Sequence, residues 1–156
     1  MFLRRKKGLE VYVMSRQDAV KYCQDKHKKQ SIIISISDPN IKYDAAPFCS
    51  QENNVTAILP LCFSDAASPG KDVYGIDVEE SDMMSDEDAL KVAKLVRANR
   101  DKRIIVHCDA GISRSAGVGA AIAQFFNGDA RLFFESGQYD PNMWCFTKMM
   151  TAFLET

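Results

Sequence analysis

With 156 residues, 46% hydrophobic and 26% charged side chains and a formal net charge of −1 at pH 7, the chain can bury a sizeable core and has an ordinary globular balance. That balance argues against broad nucleic-acid binding, and no apolar run approaches the ~20 residues of a membrane span. The makeup suits a single domain over residues 1–156, with the basic segment 1–8 as a solvated arm; the stretch after it is too short and too polar for a signal peptide.

In chain order, residues 9–14 read as a strand. Ser15 to Asp18 has the form of a helix start, and that helix runs to about Lys28. Ser31–Ser37 is a strand, Asp38-Pro39-Asn40 a turn, and residues 41–54 a loop or short helix. Residues 55–63 form a strand interrupted by Pro60, hence bulged or at an edge. Ser68-Pro69-Gly70 breaks it, and residues 73–78 form another strand. Ser85 to Asp88 caps a helix whose Ala89, Leu90, Val92, Ala93, Leu95 and Val96 repeat at helical spacing.

Ile104-Ile105-Val106 have the branching of a buried strand. Residues 115–126, small and apolar, form a buried helix that Gly128 ends, and Asp129 opens a short helix near Leu132. Asp140-Pro141 supplies the cap and first-turn proline of a last helix, whose Met143, Trp144, Phe146, Met149, Met150 and Phe153 are core packing. Strands alternating with helices imply an α/β fold: an open, largely parallel central sheet of about four to five strands with helices on both faces.

The chemistry concentrates in residues 103–115, Arg-Ile-Ile-Val-His-Cys-Asp-Ala-Gly-Ile-Ser-Arg-Ser. A strand ends in His107 and Cys108, and a short loop leads into a helix. Free N–H groups at a helix start carry partial positive charge and bind phosphate oxygens. Gly111 lets the backbone turn sharply, and successive N–H groups in such a turn form an anion nest. A helix N-terminus and a nearby cation lower a thiol's pKa from its free value of about 8.5, and the thiolate is the nucleophile. Arg114 offers a planar fork for two phosphate oxygens. Ser115 can donate to the sulfur as thiolate departs. His107 is expected to point away from the loop and hold its shape through backbone bonds.

His-Cys-x-x-Gly-x-x-Arg-Ser resembles the signature of cysteine-dependent protein tyrosine phosphatases, and the short chain looks like the compact dual-specificity branch in a microbial form. The resemblance implies Cys108 as nucleophile, Arg114 as phosphate binder and Ser115 as the aid to thiolate departure. The amides of Asp109, Ala110, Gly111, Ile112, Ser113 and Arg114 would cradle the oxygens, so phosphate, sulfate or vanadate should bind there. It also implies a proton-donating aspartate roughly thirty residues before the cysteine, a role typically worth ~10²–10⁴-fold. Asp77 fits that spacing best and Asp82 is the alternative; Asp72, Glu79 and Glu80 share the segment. The Trp-Pro-Asp loop of the larger tyrosine phosphatases is absent.

Five cysteines, at 23, 49, 62, 108 and 145, make an odd number without zinc-site spacing, so no metal or other cofactor is expected. Cys23, Cys62 and Cys145 lie in apolar patterns that read as core. A working thiolate needs a reducing compartment, which implies the cytoplasm. The expected activity is hydrolysis of phosphomonoesters, with phosphorylated protein or peptide as partner: phosphotyrosine first, then phosphoserine and phosphothreonine. The alternatives are an inositol phosphate, a phosphoinositide, an RNA 5′ end, or a phosphoprotein-binding module without turnover. An acidic Asp109 disfavours highly anionic substrates.

Overall fold

The computed structural model describes residues 8–72 and 74–156; the basic segment 1–7 and Val73 lie outside the described residues. The chain is α/β. Strands β1 (Val11–Ser15), β2 (Ser31–Ser37), β3 (Val55–Cys62) and β6 (Arg103–Cys108) form one parallel sheet in the order β1-β6-β2-β3. Helices α1 (Arg16–Gln24), α2 (Asp86–Ala98), α3 (Arg114–Asn127), α4 (Arg131–Glu135) and α5 (Met143–Glu155) complete it. No helix among the described residues is long and apolar enough to cross a membrane.

β2 and β6 are central and covered on both faces, which is why apolar residues follow one another at Ile32-Ile33-Ile34 and Ile104-Ile105-Val106. Successive side chains point to opposite faces. Ile32, Ile34, Ile36, Ile104, Val106 and Cys108 join the larger core with α2, α3 and α5. Ile33 and Ile105 meet Cys23 of α1 on the other face. The sheet thus carries helices on both sides, as its sequence pattern implies. Pro60 is exposed on β3, an edge strand of the sheet, where a proline is best tolerated.

Local chemistry fixes several boundaries. Ser15 Oγ accepts from Asp18 N at 3.1 Å to open α1, and Ser85 and Asp88 form a reciprocal capping box at α2. α1 ends at Gln24, short of the expected Lys28. His27 folds back there, with its ring stacked on Tyr22 at 3.7 Å and its Nε2 2.8 Å from the Tyr22 carbonyl. Residues 41–54 carry no helix or strand.

Three other expectations are corrected. The strand expected over 73–78 is only the second arm of a small hairpin, β4 (Gly70–Lys71) against β5 (Asp77–Val78). Asp72 Oδ1 accepts from the backbone N–H of Tyr74 and Ile76, and this turn chemistry overrides the apolar residues of the segment. A short 3₁₀ turn, Glu80–Asp82, follows. The cap of α5 is Asn142 rather than Asp140, because its side chain accepts from Cys145 N at 3.0 Å. Cys62 is exposed rather than core: Leu61 and Phe63 on either side turn inward, so Cys62 turns out.

Candidate active site

The C-terminal ends of the parallel strands converge on one cleft, the position at which open α/β sheets bind ligands. β6 ends at Cys108, β2 runs into Asp38, and β3 runs through Phe63 to Asp65. The cleft has a volume of about 690 Å³ and is lined by Cys108, Arg114, Asp38 and Asp65 among others.

The loop between β6 and α3 is held from outside by its carbonyls. Asp109 O accepts from Arg16 N at 3.2 Å, Ile112 O from Asp140 N at 2.9 Å, and Ser113 O from Gly117 N and Asn142 N at 2.9 and 3.0 Å. The amides of Ala110, Gly111, Ile112 and Ser113 donate to no partner among the described residues. A run of unspent N–H groups with neighbouring carbonyls anchored elsewhere supplies the donors that an anion nest requires. Gly111 sits at φ 73°, and a Cβ there would lie 2.5 Å from Ser15 N and 2.8 Å from Met14 O, against the β1–α1 junction.

Cys108 is buried at the loop's base, with Sγ 3.0 Å from Ser115 Oγ. Arg114, 4% exposed, opens α3 and enters the same cleft. Its Nη1 donates to Asp38 Oδ1 at 2.7 Å and to the Phe63 carbonyl at 2.9 Å. Its Nε is buried without a hydrogen-bond partner. One edge of the guanidinium is thus fixed by β2 and β3, while a buried donor stays unspent. Burial opposes the Arg114 charge, yet Asp38, Cys108 and Asp65 outweigh it and raise its pKa above the ordinary value.

His107 faces the α1 side of the sheet. Its Nε2 lies 2.6 Å from Ser35 Oγ and its Nδ1 3.1 Å from the Cys108 carbonyl. Burial pushes its pKa down to about 4, so it is neutral near pH 7 and braces the loop as a hydrogen-bonding group without charge. Burial pushes the Cys145 thiol up, so this cysteine behind the loop packs as a small hydrophobe.

The carboxylates divide by setting. Asp77, on β5, reaches the cleft mouth with its side chain 86% exposed and ion-paired to Lys71 at 2.7 Å. Asp82 also lines the cleft; its Oδ2 accepts from Glu79 N at 2.9 Å. Asp65 is half-buried and bonded to the loop itself: Oδ1 accepts from Ser113 Oγ at 2.8 Å and from Asn142 Nδ2 at 2.9 Å. Asp38 and Asp65 were not singled out in the sequence. Asp38 directly follows β2 and Asp65 lies three residues past β3, on the edge where β6 delivers Cys108, and that placement is the signal that finds them.

No protein-family model and no curated protein matches the sequence. Solved structures do, at the level of the fold: the chain shares the α/β fold of tyrosine phosphatase-like proteins. The human tyrosine phosphatase-like serine/threonine/tyrosine-interacting protein superposes with a TM-score of 0.59 at 17% identity, covering 97% of this chain and 95% of its own. Human DUSP28 gives a TM-score of 0.55 at 18% identity, covering 93% and 92%. The likeness at these identities is one of fold, and the chemistry rests on the residues in the cleft.

Proposed function

We propose that this protein is a cysteine-dependent phosphatase that hydrolyses phosphomonoesters, with protein phosphotyrosine as its leading substrate and phosphoserine and phosphothreonine behind it. The observation that carries this reading is the meeting at one cleft of Cys108, of Arg114 with its unpaired Nε, and of Ala110, Ile112 and Ser113 with their unspent amides. Four exposed apolar side chains, Ile41, Tyr74, Ile76 and Ile112, line that cleft and favour an aryl group over a bare alkyl one. Sites of this kind gain most of their rate from positioning and charge stabilisation.

In this mechanism the Cys108 thiolate attacks phosphorus, an S–P bond forms and the ester P–O bond breaks. Arg114 and the loop amides hold the three non-bridging oxygens. A carboxylic acid delivers its proton to the leaving oxygen. Water then attacks the cysteinyl phosphate, gives a proton back to that carboxylate, and the S–P bond breaks. The Ser115 hydroxyl, 3.0 Å from the sulfur, stabilises the departing thiolate. His107 keeps the loop in shape.

We assign the proton donor to Asp65 in preference to Asp77 or Asp82. A half-buried carboxylate tied to the loop suits a general acid better than a solvated one paired with lysine. Asp65→Asn keeps an oxygen for Ser113 and Asn142 but removes the proton. It should lower kcat on phenyl phosphate by ~10²-fold or more and leave para-nitrophenyl phosphate, whose leaving group needs little protonation, within about fivefold. Equal losses on both substrates, or the leaving-group pattern appearing in Asp77→Asn or Asp82→Asn, would move the role.

The substrate class is tested by a panel of phosphotyrosine and phosphoserine peptides, inositol phosphates and phosphoinositide head groups, run beside Cys108→Ser. A chain that binds phosphopeptides but turns over nothing on the panel would instead be a binding module.

A further inference from the structure

The cleft above Cys108 is ringed by negative charge. Asp38, Asp65, Asp72, Asp77, Asp82 and Asp109 line it, and Arg114 is the one cation among its described lining residues. Lys71 adds a neighbouring cation through its ion pair with Asp77. Asp38 is largely neutralised by Arg114 at 2.7 Å, but Asp72, Asp82 and Asp109 form no ion pair among the described residues. The carboxylates come from separate segments: the ends of β2 and β3, the hairpin, the 3₁₀ turn and the Cys108 loop. No three His, Cys, Asp or Glu side chains among the described residues converge to hold a metal ion.

A phosphate dianion entering this cleft must pass an anionic rim before it reaches its donors. What receives it is at the floor: Arg114, 4% exposed, with its Nε unpaired. The rim therefore weakens capture of bare or multiply charged anions, and a substrate overcomes it by bringing cations of its own. Tyr74, 85% exposed between Asp72 and Asp77 in sequence, adds a ring face on which a guanidinium or ammonium can rest beside carboxylates.

We infer that the preferred substrate of this site is a phosphotyrosine flanked by arginine or lysine, with the rim carboxylates selecting against acidic flanks and polyanions. The inference rests on the phosphatase reading above and narrows it. Both halves of a specificity device are present: attraction for the basic peptide and repulsion of the competitor.

The test compares two phosphotyrosine peptides that differ only in three basic or three acidic flanking residues, with para-nitrophenyl phosphate and inositol hexakisphosphate alongside. The basic peptide should exceed the acidic one in kcat/KM by roughly tenfold or more at low ionic strength, and the ratio should shrink to about threefold or less near ~0.5 M salt. The double substitution Asp77→Asn with Asp82→Asn should cut the low-salt ratio by about threefold. The ratio is the readout, so a general change in turnover cancels. Equal or faster hydrolysis of the acidic peptide, preference for inositol hexakisphosphate, or an unchanged ratio in the double variant would overturn the inference, even with para-nitrophenyl phosphate hydrolysed normally. No hydrolysis of para-nitrophenyl phosphate would instead remove the phosphatase reading, and this inference with it.

Discussion

Cys108→Ser should lower turnover of para-nitrophenyl phosphate by at least ~10⁴-fold while leaving the fold intact. A serine hydroxyl ionises far less readily than a thiol, so the attacking group is lost although its position is kept. The substitution is nearly isosteric, and the new hydroxyl lies beside Ser115 Oγ, the partner that the sulfur has now at 3.0 Å. The stability change should stay within about 2 kcal/mol, because the buried hydroxyl keeps a hydrogen bond. Phosphopeptide affinity, read by calorimetry, should persist, since Arg114 and the loop amides are untouched. Residual turnover above a tenth of the parent rate would show that some other group attacks phosphorus.

Gly111→Ala is the second large effect, and it acts through shape rather than through a reacting atom. The position is left-handed at φ 73°, where a Cβ costs roughly 1–2 kcal/mol in any L residue. The added carbon would also strike the backbone at Met14 and Ser15, with the Ser15 nitrogen at 2.5 Å and the Met14 oxygen at 2.8 Å. Main chain at a strand–helix junction cannot swing aside as a side chain can, so overpacking adds about 1–3 kcal/mol. The loop must shift, and a misplacement near 1 Å costs ~10²-fold in rate. We expect kcat/KM to fall by about that factor and thermal unfolding to move to lower temperature. An alanine variant with parental activity and melting temperature would mean that the loop's curvature is not what builds the site.

The parts of the fold that local rules govern were legible in the sequence. Ser31–Ser37 is a strand at the bounds its isoleucines imply, Ser85 caps α2, and Gly128 ends α3 in a left-handed conformation. The loop around Cys108 was legible for the same reason: strand, turn glycine and helix start are contiguous. Asp38 and Asp65 were not, because parallel pairing of β6 with β2 and of β2 with β3 brings them to Cys108, and sequence separation says little about register. Spacing counted back from Cys108 leads to Asp77, but the hairpin and the 3₁₀ turn lengthen the path between β3 and α2 and put Asp77 at the cleft mouth. Asn142 was hidden behind Pro141, whose helix-start preference placed the cap at Asp140, two residues too early.

Asn142 ties distant events together. Its side chain opens α5, accepting from Cys145 N, and donates to Asp65 Oδ1 and the Ala66 carbonyl; its own N–H donates to Ser113 O. One amide residue thus joins the last helix, the segment after β3 and the loop after Cys108. Any opening that frees the first turn of α5 also releases the other two, so these segments form a single cooperative unit in native-state hydrogen exchange. Occupancy of the loop by an anion would then slow amide exchange at Cys145, a residue outside the cleft lining, and the fluctuations of the last helix would report on ligand through a bond network instead of through contact.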